Sequence, residues 1–208
     1  MILTLTLNPA IDRNVMVDRL VFEDRAYILS TSESAGGRGI NASCVIHSFG
    51  GRTLAIAVSG GPSGVRLERY LSGCGFPAEI VPIANEIRNN LAITDKQGLT
   101  VKLNEVGPYI SAAELGRLEA VVRARLPEAA WLMICGSTPP GVPADFYAKL
   151  LIAAREHGVK ALLDTDGEAL VEGLAGGPTV VAPNQQEAER LLNTALLTRK
   201  HLLEAALK

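Results

Sequence analysis

Short apolar runs alternate with stretches of helical spacing along most of this chain, and in two places the alternation stops. Ile2 to Leu7 alternates apolar residues with threonine, the period of a strand, and Asn8-Pro9 breaks it. Ile40 to Phe49 carries apolar residues at helical spacing up to Gly50-Gly51; Thr53 to Val58 is then a strand and Ser63 to Leu71 a helix. After Ser111, which makes a capping box with Glu114, the stripe Leu115, Leu118 and Val122 marks a further helix. Strands predicted over Trp131 to Cys135, Val159 to Leu163 and Thr179 to Ala182 then alternate with helices over Pro143 to His157, Glu168 to Gly173 and Asn184 to Leu192. A last helix is expected over Thr198 to Lys208, with Leu202, Leu203 and Leu207 as its apolar stripe. Connections of this kind imply a mainly parallel sheet covered by helices on both faces, an α/β fold.

The two interruptions, Val15 to Ser34 and Glu79 to Asn104, are β-rich without intervening helices. In the second, Leu91 and Ile93, then Leu99, Val101 and Leu103, keep period two on either side of Asp95-Lys96-Gln97-Gly98, a hairpin turn with a glycine for positive φ. These segments are expected to form a small β flap. No repeat, low-complexity tract or linker divides the chain, so one domain is expected.

A hydrophobic content of 48% excludes general disorder, and a net charge of -2 provides no basic field for nucleic acid or an anionic membrane. Small-molecule chemistry is the class left. The N-terminus, Met1 to Leu7, lacks a basic leader and meets Pro9 and Asp12 before reaching the length of a signal or membrane segment, so a soluble, cytoplasmic protein is expected. Cys44, Cys74 and Cys135 are widely spaced and odd in number, which argues against a disulfide framework or a zinc cluster and for a reducing compartment. His47, His157 and His201 fall in separate predicted helices and read as surface or helix-end residues.

Chemistry is concentrated where predicted strands give way to polar turns. Asp12 is expected just past the first strand, in the crevice where open α/β sheets collect ligands. The run Gly36-Gly37-Arg38-Gly39-Ile40-Asn41 allows close backbone approach, adds two side-chain donors and opens a helix whose positive end faces the same point. Gly37-x-Gly39-x-x-Ala42 matches the dinucleotide pattern, but Thr31-Ser32-Glu33-Ser34 precedes it in place of an apolar strand. A P-loop is excluded because no Gly-Lys-Ser/Thr follows, and a glycine turn that merely starts a helix is the bland alternative. Gly136-Ser137-Thr138-Pro139-Pro140-Gly141 and Pro183-Asn184-Gln185-Gln186-Glu187 also follow strands, and Arg88 beside Asn89 and Asn90 offers a planar fork to a phosphate or carboxylate.

The order of TLTLNPAID (4–12), GGRGIN (36–41), RNNLAITDKQGLTVKLNEVGP (88–108), GSTPPGVP (136–143) and PNQQE (183–187) resembles the PfkB branch of the ribokinase-like sugar kinases, nearest to its 1-phosphofructokinase and tagatose-6-phosphate kinase groups. The resemblance implies a three-layer α/β/α domain with a β lid from about 13–34 and 79–105, a lid that pairs with a second copy to make a homodimer. It implies an enzyme that moves phosphate from ATP, with Mg²⁺, to a phosphorylated ketohexose; fructose 1-phosphate is favoured, with fructose 6-phosphate and tagatose 6-phosphate as alternatives. On this resemblance Asp12 binds sugar hydroxyls, Gly36, Gly37, Gly39 and Asn41 grip the sugar, Arg88 holds its phosphate and Arg25 adds a second phosphate contact. Ser137 faces the substrate, and Arg38 keeps a cation where the family has lysine or glycine. Asn184 and Glu187 match the Asn-x-x-Glu motif that positions ATP and, indirectly, magnesium, while Ala182 replaces the usual lysine before Pro-Asn. The family's Gly-Ala-Gly-Asp motif, source of the catalytic base, does not occur in these 208 residues. The chain is accordingly read as lacking the C-terminal part of the fold and as inactive alone; a non-catalytic phosphosugar-binding or regulatory protein is the alternative.

Overall fold

The computed structural model describes residues 1–207. In chain order the elements are β1 (Ile2–Thr6), β2 (Ala10–Val17), β3 (Ile28–Gly36), α1 (Arg38–Ser48), β4 (Thr53–Ser59), α2 (Gly61–Ser72), β5 (Ala78–Pro82), β6 (Arg88–Asp95) and β7 (Thr100–Asn104). There follow α3 (Ala112–Arg125), β8 (Trp131–Cys135), α4 (Phe146–Glu156), β9 (Lys160–Asp164), α5 (Gly167–Leu174), β10 (Val180–Val181), α6 (Gln185–Leu192) and α7 (Arg199–Ala206). Lys208, the last residue of the expected final helix, lies outside the described residues.

The strands form two sheets. A six-stranded sheet runs β10-β9-β8-β1-β4-β5 with every pair parallel, and a four-stranded sheet runs β3-β2-β6-β7 with only β2 and β6 parallel. β1 is the switch point of the large sheet, since the chain adds β4 and β5 on one side and later β8, β9 and β10 on the other. The crevice beyond its carboxyl end is therefore the expected ligand position.

The Leu/Thr alternation of β1 has a packing meaning. Leu3, Leu5 and Leu7 belong to the hydrophobic core, whereas Thr4 and Thr6 make polar contacts with α1. The Thr4 Oγ1 lies 2.8 Å from Ser43 Oγ, and Thr6 Oγ1 accepts the first-turn N–H of Ile40 at 3.0 Å. Gly39 permits this approach, because a Cβ there would meet the Leu5 carbonyl oxygen at 2.6 Å. The start of α1 is thus pinned to the end of β1, which sets the position of the glycine run.

Asp12 lies past the first strand, and a second strand carries it. Asn8-Pro9 carries the chain from the large sheet into the small one, and β2 begins at once with Ala10, so Asp12 lies inside a strand and not in a turn. The 15–34 segment is likewise two strands around a loop at 18–27. That loop is closed by the Asp18 carboxylate, which accepts the N–H of Tyr27 at 2.8 Å and that of Arg19 at 2.9 Å. Other expected elements are shorter in the structure: the 179–182 strand reduces to Val180–Val181, and the helix expected from Pro143 starts at Phe146. The hairpin of β6 and β7 has the anticipated register, Leu91 opposite Leu103 and Ile93 opposite Val101. Among the described residues no helix is long and apolar enough to cross a membrane.

Candidate functional site

Alternation along β2, β3 and β6 gives the small sheet two chemically different faces. On one, Arg66 of α2 reaches Glu33 at 3.3 Å and Asn89 Oδ1 at 3.0 Å, which fastens the sheet to the helix layer. On the other, Asp12 sits in register with Ser34 and Asn90, and its Oδ1 accepts from Asn90 Nδ2 at 2.8 Å. Gly36 lies beneath the Asp12 carboxylate, where any Cβ would collide with it. The glycine therefore serves the aspartate first, and any sugar hydroxyl through it.

Arg88 opens β6 opposite Ala10. Its Nη2 donates to the Asn8 carbonyl at 3.0 Å and its Nη1 to the Glu105 carbonyl at 3.1 Å, while Nε is buried without a partner. Burial lowers the pKa of this guanidinium, and the neighbouring Asp12 carboxylate opposes that shift. A guanidinium remains charged in either case. Arg88 thus ties the Asn8 turn to the segment after β7 while its cation faces the cleft. Asn8 continues the brace, donating to the Val106 carbonyl at 2.9 Å and to Ser137 Oγ at 3.2 Å.

Between these groups and the C-terminal ends of β1 and β8 lies a cavity of about 330 Å³, lined by Thr6, Asn8, Arg38, Arg88, Asn90, Asn104, Gly136, Ser137 and Asp166. A neighbouring hollow of about 290 Å³ shares Asn90 and Asn104 and adds Asp12, Ser34 and Lys102. Its walls carry cations, amides and hydroxyls, a lining suited to a polyhydroxy compound that bears an anionic group. At the end of β8, beside Gly136, burial pushes the Cys135 thiol up to about 12, so that sulfur is no nucleophile at neutral pH. Tyr147, wholly buried, donates its hydroxyl to the Gly136 carbonyl at 3.2 Å and holds the Ser137 loop in place.

Arg38 begins α1 and reaches away from the small sheet. Its Nη1 meets Asp164 at 2.9 Å, and its Nη2 meets Asp166 at 3.5 Å and Glu187 at 3.7 Å. Asn184 caps α6 and forms a capping box with Glu187: the Glu187 N–H donates to Asn184 Oδ1 at 2.9 Å, and the Asn184 N–H to Glu187 Oε2 at 2.8 Å. The local role of the Asn-x-x-Glu spacing is therefore to start a helix beside the cleft.

Of the residues singled out from sequence, Asp12, Gly36, Gly37, Gly39, Arg38, Arg88 and Ser137 converge on the cleft and its edges, with Glu187 reached through Arg38. Asn41 is exposed on the first turn of α1, and Arg25 is exposed in the 18–27 loop; neither lines the cavity. Asn8, Asn104, Asp164 and Asp166 escaped the sequence reading. Asp164 and Asp166 follow an apolar strand, the same signal that pointed to Ser137, whereas Asn8 read only as a strand breaker. The dinucleotide reading of the glycine run fails on topology. The run follows β3, an edge strand antiparallel to β2, and not a parallel strand of the large sheet.

Residues 5–208 match the family described as pfkB family carbohydrate kinase. The chain is 32% identical over 208 residues to a tagatose-6-phosphate kinase of Staphylococcus epidermidis, covering 99% of this chain and 67% of that protein. It is 30% identical to the ATP-dependent 6-phosphofructokinase isozyme 2 of Mycobacterium tuberculosis, covering 99% of this chain and 60% of that one. Phosphofructokinase-2 from Escherichia coli, solved in complex with fructose-6-phosphate, superposes with a TM-score of 0.91 at 31% identity over 99% of this chain and 68% of its own.

Proposed function

The chain belongs to the pfkB family of carbohydrate kinases, and on that footing we propose that it serves transfer of the ATP γ-phosphate to a hydroxyl of a phosphorylated ketohexose, fructose 1-phosphate being the favoured acceptor. The observation that carries this reading is the Asp12–Asn90 pair laid over Gly36 on the same cleft as Arg88. An aspartate held by an amide accepts hydrogen bonds from vicinal sugar hydroxyls, and Arg88 offers charge to the phosphate already on the sugar.

Phosphoryl transfer needs the acceptor hydroxyl in line, positive groups on the transferring oxygens and a proton acceptor. This chain contributes the first alone: the glycine run and Asp12 orient the sugar, and Arg88 offers its charge to the phosphate the sugar already carries, while Arg38 is occupied by Asp164, Asp166 and Glu187. No Gly-Ala-Gly-Asp occurs in its sequence, so we expect the 208-residue chain to bind sugar phosphate without significant turnover. Magnesium accompanies ATP in this chemistry. The nearest carboxylates, Asp164, Asp166 and Glu187, surround Arg38, and among the described residues no group of three His, Cys, Asp or Glu is arranged to hold a metal ion. As arranged, these residues do not fit one.

The lid reading extends to assembly. Ile28, Leu29, Leu99 and Leu103 are exposed apolar residues of the small sheet and its turn, a surface suited to a second copy of the lid. Calorimetric titration of the chain with fructose 1-phosphate, fructose 6-phosphate and tagatose 6-phosphate tests the acceptor class. Tightest binding of fructose 1-phosphate is expected, and no binding of any of the three would overturn the proposal.

A further inference from the structure

Cys44 and Cys74 stand far apart in the sequence and do not read there as a pair, but the fold brings them together. Cys44 lies on α1 one turn before His47, so the two side chains share a helix face. That face meets the segment that follows α2. The His47 ring lies 5.8 Å from the Phe76 ring, and Gly75, at positive φ, leaves room for His47 Nε2, which a Cβ there would meet at 2.9 Å. The Cys74 N–H donates to the Leu71 carbonyl at 3.1 Å and its thiol to the Tyr70 carbonyl at 3.3 Å, so a tight turn at the end of α2 fixes that sulfur. The Cys44 and Cys74 thiols are hydrogen-bond neighbours. Cys44 is exposed and Cys74 half-buried, whereas Cys135 is buried.

We propose that Cys44 and Cys74 form a dithiol site that closes to a reversible disulfide within the chain, with a small-molecule disulfide as oxidant, and so locks α1 to the end of α2. The more exposed thiol, Cys44, attacks one sulfur of the oxidant as its thiolate and expels the other half, which takes up the proton that Cys44 released. The Cys74 thiolate then attacks the Cys44 sulfur of this mixed disulfide and expels the second half. Two protein thiols are thereby oxidised to one disulfide, and one small disulfide is reduced to two thiols. Burial first, and the neighbouring Cys74 second, hold the Cys44 pKa above its ordinary value, so exchange at neutral pH proceeds through a small thiolate fraction. The bond joins the helix that opens on the glycine run to the helix whose Arg66 fastens the small sheet, and both helices pack on β4. The inference makes no use of the sugar-kinase reading, so each can fail alone.

The test is equilibration of the 208-residue chain in glutathione buffers from fully reduced to fully oxidised, then acid quenching, alkylation of free thiols and peptide mass analysis, beside thermal unfolding by circular dichroism. The oxidised buffer should yield one peptide pair joined through Cys44 and Cys74, two hydrogens lighter than the same peptides reduced. The melting temperature should rise by roughly 5 °C or more, since the cross-link narrows the unfolded ensemble. Excess dithiothreitol should reverse both changes. Cys74→Ser should stop at a glutathione adduct on Cys44, and Cys44→Ser should lose both the cross-link and the shift, a pattern that oxidation at Cys135 would not produce. If either serine variant does not fold, the alanine variant serves in its place. A glutathione adduct that persists on Cys44 while Cys74 is present, a bond between two chains in place of one within a chain, or equal melting temperatures in the two buffers would overturn the proposal.

Discussion

The large and small sheets differ in composition as they do in use: β1, β4 and β8 carry no charged residue, whereas β2, β3, β6 and β7 each carry at least one. The large sheet is parallel throughout, and its central strands are buried on both faces; every residue of β4 is buried. The small sheet leaves most of β3 and β7 exposed, and its cleft face is polar, with Asp12, Asn90 and Asn104 in one row. One sheet holds the fold, and the other lends the cleft a polar wall opposite the strand ends of the first. Polar side chains and water access are tolerable only where packing is not what maintains the strands.

The sharpest way to break this comparison is to remove apolar bulk from each sheet. Leu5→Ala empties a fully buried site in β1 and should cost about 3 kcal/mol in urea unfolding, against less than about 0.5 kcal/mol for Leu99→Ala at the exposed hairpin. Similar losses at both would end the division of labour. Next in size, Arg88→Ala should weaken sugar-phosphate binding by roughly 2 kcal/mol, since a charge-assisted contact is lost. Unchanged calorimetric affinity would remove Arg88 as the phosphate clamp.

On the scaffold side, Ser111→Ala removes the N-cap oxygen of α3 and should lower stability by about 1 kcal/mol with no change in ligand affinity. The smallest effect is a pH dependence. Hydrogen bonds from the Ser111 side chain, then from the Ser111 and Ala84 N–H groups, hold the Glu114 carboxyl below its ordinary pKa. A depressed carboxylate stabilises the fold above its unfolded pKa of about 4.3, and that contribution is lost as pH falls through the lower folded value. Glu114→Gln should therefore flatten the acid limb of a melting-temperature profile below pH about 4.3. An unchanged limb would mean that Glu114 carries no part of the acid sensitivity.

Legibility followed distance along the chain. The capping box Ser111–Glu114 closes within one helical turn and reads directly from the sequence; the structure contains it. The hairpin register followed from period two on either side of one turn. By contrast, the Asp12–Asn90 bond spans 78 residues, and the Arg38–Asp164 pair spans 126. Nothing in the local pattern around Arg38 foretells carboxylate partners in place of a ligand. That Asp12, read only as lying just past the first strand, sits within a second strand was illegible for the same reason, because β2 exists through its pairing with β3 and β6 and not through its own periodicity.

Sequence alone determined the α/β class, the two β-rich excursions and some of the residues that meet at the cleft, Arg38, Arg88 and Ser137 among them, because strand and helix periods and cap spacings are short-range properties of the covalent chain. Tertiary structure alone decided which face of the small sheet carries Asp12, that Arg88 braces two backbone segments, and that Arg38 is neutralised by three carboxylates. Those outcomes depend on how two sheets and their helices close on one another, and such non-local pairings are settled by burial and charge compensation over the whole fold.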